Sequence, residues 1–280
     1  MTILNQSVRA LLTYFDSNDT PQNLPADANG LLIKQESDYL EQVSLGLIPG
    51  RRIFSGFGEH TGVNGNNLDL WGGVAGIQPE PDTAGYQLWM VSSSQADNGT
   101  SATGALTGEA HYLNTAGEEK TVRVTLNGTT AVNTGVTDCM FVQEHHVPDV
   151  GSGLVSAGNV DCTKGSGGAI VSRVTALGNQ SMSTMRQVPA GKVLCIHNWH
   201  GYGTAGTTKI ANLRIRSSDN HGVLNPGVYH FRDSARLKDF ATGSIPLFYC
   251  VPALATAKVS AWTTGAIDLT AKWIGVLKDL

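Results

Sequence analysis

Residues 86–133 read YQLWMVSSSQADNGTSATGALTGEAHYLNTAGEEKTVRVTLNGTTAVN, and this stretch decides the fold class. Short segments that alternate apolar and polar residues are separated by turns rich in Gly, Asn, Ser and Thr. Alternation with a period of two is typical of strands that bury one face. The stretch therefore predicts short antiparallel strands joined by tight turns.

The clearest strand within it is 121–126. Val122, Val124 and Leu126 fall on one face of this strand and are predicted to point into the core. An Asn-Gly pair follows at 127–128, and this pair favours the type I′ turn of a two-residue hairpin. The segment is therefore predicted to be one arm of a hairpin with a buried face.

Strand patterns continue to the end of the chain, including a clear alternation at 210–216, and about ten to fourteen strands are expected. Charged residues make up 15% of the chain and apolar residues 41%, a composition that excludes intrinsic disorder. The sequence predicts an all-β fold: an antiparallel β-sandwich, jelly-roll-like, built as one large or two smaller sandwiches, with a short helical N-terminal arm. We divide the chain into an arm at 1–50, a first β region at 51–160 and a second β region at 161–280. The alternative is that the two β regions form one continuous sandwich.

Residues 1–16 carry the best helical pattern of the chain. Pro21 and Pro25 end this pattern, and a second short helical or extended segment is predicted at 37–47. The arm either docks on a neighbouring subunit or forms the first layer of the main core. Its candidate assembly anchor consists of the apolar residues that share one helical face: Leu4, Val8, Leu11, Leu12 and Phe15.

Charge and hydropathy exclude several classes of partner. The formal net charge is −4 and no cluster of Lys and Arg marks a nucleic-acid surface, so direct contact with nucleic acid is not expected. No apolar run approaches the ~18 residues of a membrane-spanning helix, so no membrane contact is expected. No leader peptide is recognised, and we expect the chain to fold in a cytosol.

The four cysteines form no Cys-x-x-Cys pair of the kind that binds zinc. Cys195 and Cys250 lie in apolar strand patterns and are predicted to be buried as small apolar residues. A disulfide between Cys139 and Cys162 stays open, because the sequence alone does not bring the two side chains together.

No motif predicts catalysis. The segment GSGGAIV (165–171) resembles the nucleophile strand of trypsin-like serine proteases, but no histidine has the spacing that this chemistry requires. We therefore expect a turn before a strand. His145 and His146 are adjacent, so on a strand they point to opposite faces and do not share a metal ion. We expect no catalytic residue, no cofactor and no metal, and we predict that the protein is not an enzyme.

One aromatic segment, WHGYG (199–203), is predicted to be a surface loop. Trp199, His200 and Tyr202 form a candidate glycan-contact site in this loop, because exposed aromatic rings bind sugars in lectin-like sandwiches. The competing interpretation is that these side chains only pack within the protein.

Four segments carry a resemblance to a known family: GFGEHTGVNGNNLDLWGG (56–73), WMVSSSQADNGTSATGA (89–105), TAGEEKTVRVTLNGTTAV (115–132) and VPAGKVLCI (188–196). In order and spacing they resemble β-rich structural proteins of tailed-bacteriophage virions. The N-terminal arm is not part of the resemblance, and the resemblance carries over no catalytic residue.

This resemblance implies a non-enzymatic virion component, first of all an accessory capsid decoration or cement protein. The alternatives are a tail, neck or fibre-attachment protein, or a host-glycan-binding module. The implied partners are the major capsid protein or the tail and neck proteins, together with further copies of the same chain. A trimer is a guess from the general habits of phage accessory proteins. The implied localisation is the virion, assembled in the cytoplasm of the bacterial host.

Overall fold

The computed structural model describes residues 14–15, 21–22, 39–72, 76–100, 103–204, 209–238 and 245–280. The chain divides into two units, Met1–Leu45 and Gly46–Leu280. Every strand pair among the described residues is antiparallel. In chain order the described elements are β1 (Tyr14–Phe15), β2 (Pro21–Gln22), α1 (Tyr39–Ser44), β3 (Arg51–Val63), β4 (Leu68–Asp69), β5 (Leu88–Ser92), β6 (Thr107–Asn114), β7 (Glu119–Thr125), β8 (Val132–Asn133), β9 (Cys139–His146), β10 (Val160–Lys164), β11 (Ile170–Val174), β12 (Arg186–Gln187), β13 (Lys192–Thr204), β14 (Ile210–Ser217), β15 (Asp219–Asn220), β16 (Val223–Leu224), β17 (His230–Lys238), β18 (Ile245–Val251), β19 (Thr256–Thr263) and β20 (Ile267–Asp279).

The first unit contains helix α1 and a pair of two-residue strands, β1 and β2. Helix α1 lies within the segment predicted at 37–47, which confirms a short N-terminal helix. The helix predicted over 1–16 is wrong at its end, because Phe15 pairs with Pro21 and the fixed φ of proline suits this extended pairing. No helix in the described part of the chain is long and apolar enough to cross a membrane. The remaining residues of the predicted anchor lie outside the described residues: Leu4, Val8, Leu11 and Leu12.

The second unit is built on a jelly roll of two sheets. One sheet has the order β18-β13-β20-β3 and the other β12-β19-β14-β17, with β4 also paired to β19. The eight strands of the jelly roll can be numbered one to eight in chain order: β3, β4, β13, β14, β17, β18, β19 and β20. Starting from β3, the first sheet then has the order one, eight, three, six. The second sheet holds strands two, seven, four and five, which is the arrangement of a double Greek-key jelly roll. Its core contains large side chains that are at most 2% exposed, including Leu194, Ile196, Trp199, Leu213, Ile215 and Trp273.

A second, smaller sandwich is inserted into the chain between β4 and β12. Its sheets have the orders β11-β10-β5-β8 and β7-β6-β9. It has a hydrophobic core of its own, which includes Leu88, Met90, Tyr112, Leu126, Val142, Val160 and Val174. The boundary predicted between residues 160 and 161 therefore lies within the inserted sandwich, because β10 begins at Val160 and pairs with β5. The jelly roll contains both ends of this unit, since β3 pairs with the final strand β20.

The predicted fold class is confirmed as all-β and antiparallel, with a jelly-roll-like sandwich, a smaller sandwich and a short helix. The predicted alternation is also confirmed in detail. Along β14 the buried residues are Ala211, Leu213 and Ile215. Along β7 the outward residues are exposed, while Val122 and Val124 are half-buried. Twenty strands are described, of which thirteen have five or more residues, close to the expected number.

The prediction that Cys195 and Cys250 are buried as small apolar residues is wrong, and the disulfide between Cys139 and Cys162 that the sequence leaves open is not formed. Cys195 and Cys250 form a disulfide, because they are direct partners on the neighbouring strands β13 and β18. Cys139 and Cys162 are free thiols buried in the core of the inserted sandwich. Burial raises the pKa of the Cys139 thiol to about 12, so this group stays protonated and packs as a small apolar side chain.

The neck of the insertion is the place where the chain leaves the jelly roll at Leu70 and returns to it at Thr184. A backbone hydrogen bond between these two residues closes the neck. The amide of Thr184 donates a hydrogen bond of 3.0 Å to the carbonyl of Leu70. Strand β3 crosses this pair at Gly58, where a Cβ atom would lie 2.1 Å from the Leu70 oxygen. At Gly56 a Cβ would lie 2.5 Å from the indole nitrogen of Trp273. Gly56 and Gly58 therefore let two backbones and an indole pack in contact.

A buried carboxylate joins three loops of the inserted sandwich. Asp97 is fully buried and accepts hydrogen bonds from the Ser92 hydroxyl at 2.6 Å and from the amides of Ala105 at 2.7 Å, Ala157 at 2.7 Å and Gly158 at 2.8 Å. A carboxylate with four donors satisfies both of its oxygens without solvent. The Ser-Ser-Ser-x-x-Asp phrase at 92–97 is therefore a structural clamp.

Candidate functional site

A cavity of about 340 Å³ lies between the jelly roll and the inserted sandwich. The jelly roll contributes the start of β3, from Arg52 to Ser55, and the inserted sandwich contributes residues of β6, β7 and β9. The lining is strongly polar, and it includes an ion pair between Arg52 and Glu119 that crosses from one sandwich to the other. The cleft brings five charged or titratable side chains together: Arg52, His111, Glu119, Lys120 and Glu144.

Two Glu-His pairs lie side by side at this junction. His111 Nε2 lies 2.9 Å from Glu109 Oε1 on β6, and His146 Nε2 lies 3.2 Å from Glu144 Oε2 on β9. The two imidazole rings meet edge to face with their centroids 5.2 Å apart. Each pair has the spacing Glu-x-His, which places both side chains on one face of a strand.

A buried arginine connects these pairs to the jelly roll. Arg186 of β12 is only 3% exposed. Its Nη2 lies 3.3 Å from Glu144 Oε1. Its Nη1 donates to the carbonyls of Ser183 and Met185 at 3.1 and 2.9 Å. The hydrogen bond from His146 lowers the pKa of Glu144 to about 2, and the Arg186 charge acts in the same direction. Glu144 is therefore ionised across the ordinary pH range and balances the arginine.

The cluster is suited to holding charge. No serine, threonine or cysteine is hydrogen-bonded to either imidazole among the contacts of the described residues, so the arrangement offers no activated nucleophile. No group of three or more His, Cys, Asp or Glu in the described ranges has the geometry to hold a metal ion. The geometry supports an ion-pair network that joins the two sandwiches.

The sequence contains a signal for this cluster. Two Glu-x-His segments occur at 109–111 and 144–146, and on a strand this spacing places both side chains on one face. That β6 and β9 are neighbours follows only from the sheet, in which His111 is the direct partner of Glu144. The prediction that His145 and His146 point to opposite faces is confirmed, since His145 is fully buried and His146 is half-buried.

The prediction that Trp199 lies in a surface loop is wrong. The segment 199–203 belongs to the long strand β13, and Trp199 is 0% exposed. Its indole nitrogen donates a 2.9 Å hydrogen bond to the half-buried Asp233 of β17. The glycines that suggested a loop serve close packing, because a Cβ at Gly201 would lie 2.0 Å from Leu213 Cδ1.

His200 and Tyr202 do lie together near the surface. Their rings are 5.4 Å apart, and Tyr202 is 46% exposed. Burial lowers the pKa of His200, and the neighbouring charge of Lys272 lowers it further, so His200 is neutral near pH 7. Of the three predicted glycan-contact residues, the structure therefore leaves two on an outward strand face.

Residues 165–169 form the turn between β10 and β11, and residues 170–171 begin β11. Gly165 and Gly167 have φ angles of +73° and +71°, which glycine adopts freely. Ser166 is exposed at the tip of this turn. The predicted turn is confirmed, and it places Ser166 in no cluster with a histidine among the described contacts.

One buried histidine lies outside the cleft. His145 lies beside Gly108 in the core of the inserted sandwich, and neither ring nitrogen has a hydrogen-bond partner among the described residues. Burial lowers the pKa of His145 to about 3, and the nearby His146 adds to the shift. The folded protein therefore holds this imidazole in its neutral form.

His145 should make the protein sensitive to acid. In the unfolded chain the imidazole binds a proton near pH 6.5, whereas in the folded chain His145 binds one only near pH 3. Because the folded pKa is the lower one, stability is complete above pH 6.5 and is lost as the pH falls towards 3. We expect this residue alone to lower the free energy of unfolding by about 3 kcal/mol between pH 7 and pH 4.

Urea unfolding of a His145→Leu variant at both pH values checks this expectation. The loss of stability between pH 7 and pH 4 should shrink by about 3 kcal/mol relative to the parent. His230→Gln, at a half-buried position on β17, serves as the matched control and should leave the loss unchanged. An equal loss of stability between pH 7 and pH 4 in the parent and in His145→Leu would contradict His145 as a cause of the acid sensitivity.

No protein-family model matches this chain, and no curated protein matches it. Comparison with solved structures finds similarity to the structure of the infectious bursal disease virus Gx strain. The identity is 11%, covering 82% of this chain and 72% of that one, with a TM-score of 0.19. The VP2 subviral particle of infectious bursal disease virus is 10% identical over 82% of this chain and 72% of that one, with a TM-score of 0.15. At these TM-scores neither similarity carries an argument about function.

Proposed function

We propose that this protein is a non-enzymatic structural component of a tailed-bacteriophage virion. The observation that carries the proposal is the architecture: an eight-strand jelly roll whose chain is interrupted by a second rigid sandwich. Jelly rolls recur in viral capsid and lectin domains, so the fold supports this class by analogy.

The residues that carry the sequence resemblance to virion structural proteins also support a structural role. Gly58 gives room at the neck of the insertion, and Asp97 clamps three loops. The Asn-Gly pair at 127–128 forms a turn with Gly128 at a φ of +59°, and Gly191 turns the chain into β13 at a φ of +70°. These motifs maintain the framework of the protein and do not converge on a site.

Within this class we propose a capsid decoration or cement protein, with a tail, neck or fibre-attachment protein as the alternative. A low content of charged side chains, at 15%, suits surfaces that meet other virion proteins without strong repulsion. The partners proposed are the major capsid protein or the tail and neck proteins, and further copies of this chain.

A truncation tests both the function and the role of the N-terminal segment. The compact second unit begins at Gly46, so a chain of residues 46–280 should fold with a cooperative unfolding transition. If residues 1–45 contain the assembly anchor, the truncated chain should be absent from particles that incorporate the full-length chain. Incorporation of the truncated chain into particles would contradict an assembly anchor within residues 1–45. Absence of the full-length chain from particles would contradict the proposed function.

A glycan-binding module is the second candidate, and the exposure of Tyr202 beside His200 is the observation that favours it. A glycan array compares the parent protein with a Tyr202→Ala variant. Trp199→Ala is unsuitable as the control, because Trp199 is a core residue. No glycan binding by the parent, or equal binding by the parent and the variant, would contradict a glycan-binding site at Tyr202.

A further inference from the structure

Lys258 lies buried between two carboxylates. Its Nζ donates hydrogen bonds to Asp69 Oδ2 at 3.1 Å and to Glu80 Oε1 at 2.9 Å. The side chains of Lys258 and Asp69 are 3% and 1% exposed, whereas that of Glu80 is 37% exposed and reaches solvent. The hydroxyl of Tyr229 donates to the other oxygen of Glu80, which leaves Oε1 to face the lysine. A primary amine, a buried carboxyl group and a second carboxylate are therefore in direct contact.

The sheet places Lys258 and Asp69 on one face. Asp69 of β4 is the direct partner of Ser260 on β19, so Lys258, two residues away, is its diagonal neighbour. The amide of Gln78 donates a 3.0 Å hydrogen bond to Asp69 Oδ2, which folds the segment after β4 back over this face. That fold brings Glu80 to the lysine. Backbone pairing therefore fixes the positions of all three side chains.

Stability alone does not explain this arrangement. The cost of removing two charges from water offsets much of their attraction, so a buried ion pair adds little stability compared with an apolar pair of the same size. Burial raises the pKa of Asp69, although the charges of Lys258 and Arg216 act in the opposite direction. A raised pKa favours the carboxylic acid form of Asp69, which is the form that an amine attacks.

The second oxygen of Asp69 faces a positive charge. Asp69 Oδ1 has no hydrogen-bond partner among the described residues, and Nη2 of Arg216 lies 3.7 Å from it. A fixed cation at that position stabilises negative charge that develops on this oxygen when the carboxyl carbon is attacked. The cluster thus contains a nucleophile, an electrophile, a proton carrier and a charge stabiliser.

We propose that Lys258 and Asp69 join through an isopeptide bond in the folded protein, with Glu80 as the proton carrier. This covalent modification goes beyond the proposed function, because it is a reaction within one chain and does not depend on a particle.

The reaction is a condensation that releases one water molecule. A proton passes from Lys258 Nζ to Asp69 Oδ2 along their hydrogen bond, and the free amine then attacks Asp69 Cγ. Glu80 accepts the next proton from Nζ and donates it to Oδ2 as the bond between Cγ and Oδ2 breaks. Water leaves, Glu80 returns to its carboxylate form and an amide joins Nζ to Cγ. No oxidant, reductant or further reactant is needed.

The fold favours the reaction by proximity. Well-oriented groups in contact react as though their concentrations were about 10⁵–10⁸ M. The bond would close a covalent loop from Asp69 to Lys258 that contains the whole inserted sandwich. A loop of this kind restrains the unfolded chain and therefore stabilises the fold.

A second Lys-Asp pair supplies an internal control. Lys192 Nζ lies 2.6 Å from Asp279 Oδ1, but these side chains are 28% and 59% exposed. No second carboxylate contacts Lys192 in the hydrogen bonds and ion pairs of the described residues. This solvated pair has no proton carrier, so it should stay unreacted and trypsin should cleave after Lys192.

The intact mass of the reduced and denatured protein tests the proposal. The parent should be lighter than the mass calculated from its sequence by one water molecule. Tryptic digestion should give a branched peptide that joins residues 53–120 to residues 239–272, with no cleavage after Lys258. Lys258→Arg keeps the positive charge but has no amine, so this variant should have its full calculated mass.

Glu80→Gln tests the proton carrier. The variant keeps an acceptor for the Tyr229 hydroxyl but does not carry protons, and loss of a general acid-base group slows such steps roughly 100-fold or more. It should be unmodified when the parent, purified in parallel, is fully modified. A cooperative thermal transition establishes that each variant is folded.

The full calculated mass in the folded parent would overturn the proposal. A loss of water that persists in Lys258→Arg would also overturn it, because the bond would then involve another residue. Complete bond formation in Glu80→Gln would overturn the role of Glu80 as the proton carrier.

Discussion

A Gly58→Ala variant should fail to fold. The added Cβ would lie 2.1 Å from the Leu70 carbonyl oxygen and 2.8 Å from the Thr184 amide nitrogen. Both atoms belong to the backbone pair that closes the neck of the insertion, so neither moves without breaking that hydrogen bond. We expect a loss on the order of 5 kcal/mol or more, comparable with the whole stability of many domains.

Soluble yield and thermal unfolding measure this effect. Gly265→Ala is the matched control, because a Cβ there would meet only the flexible Lys209 side chain at 3.5 Å or more. That variant should fold with nearly the parent melting temperature. A Gly58→Ala protein that is soluble and as stable as the parent would contradict the close approach of β3 to the neck.

An Asp97→Ala variant should fold but lose about 4–5 kcal/mol of stability. The substitution leaves the Ser92 hydroxyl and the buried amides of Ala105, Ala157 and Gly158 without their acceptor. At ~2–4 °C per kcal/mol for a protein of this size, the melting temperature should fall by about 10 °C or more. Differential scanning calorimetry measures the shift.

Two further variants separate the clamp from a general effect of removing a carboxylate. Asp97→Asn keeps one acceptor oxygen but turns an NH₂ group towards Ser92 and Gly158, so it should lose about half as much stability. Asp149→Ala removes an exposed carboxylate that pairs with Arg123, and such surface pairs contribute little to stability because solvent screens them. Equal losses in Asp97→Ala and Asp149→Ala would contradict the clamp.

The local features of the fold are predictable from the sequence. The faces of β7 and β14 follow from their alternation, because period two places every second side chain in the core. The turn at Gly191 follows from a residue type that tolerates a positive φ. Each of these features depends on residues within a few positions of one another. The type I′ hairpin predicted at 127–128 is wrong, because β7 pairs with β6, β8 pairs with β5, and of the two turn residues only Gly128 has a positive φ.

The features that depend on distant pairing are not predictable in this way. Strand β3 pairs with β20 from the opposite end of the chain, which makes the inserted sandwich an interruption of the jelly roll. The Cys195–Cys250 disulfide depends on the register of β13 against β18, and neither strand carries a sign of the other. Trp199 was assigned to a loop because glycines flank Tyr202, whereas those glycines make room for side chains of the core.

The candidate site shows the same division. The spacing Glu-x-His in two strands is visible in the sequence, and it places Glu144 and His146 on one face. The neighbouring position of His111 and the buried Arg186 come from the pairing of β6 with β9 and from the packing of β12. A single sequence therefore indicates the pairs but not the network that they form.

The copy number of this chain in purified phage particles is the most direct test of the proposed function. Quantitative mass spectrometry measures the chain against the major capsid protein of the same particles. A capsid decoration protein should be present in numbers comparable with the major capsid protein, whereas a few copies per particle would place the chain at the neck, tail or fibres. Absence of the chain from particles that were assembled in cells expressing it would contradict the virion role.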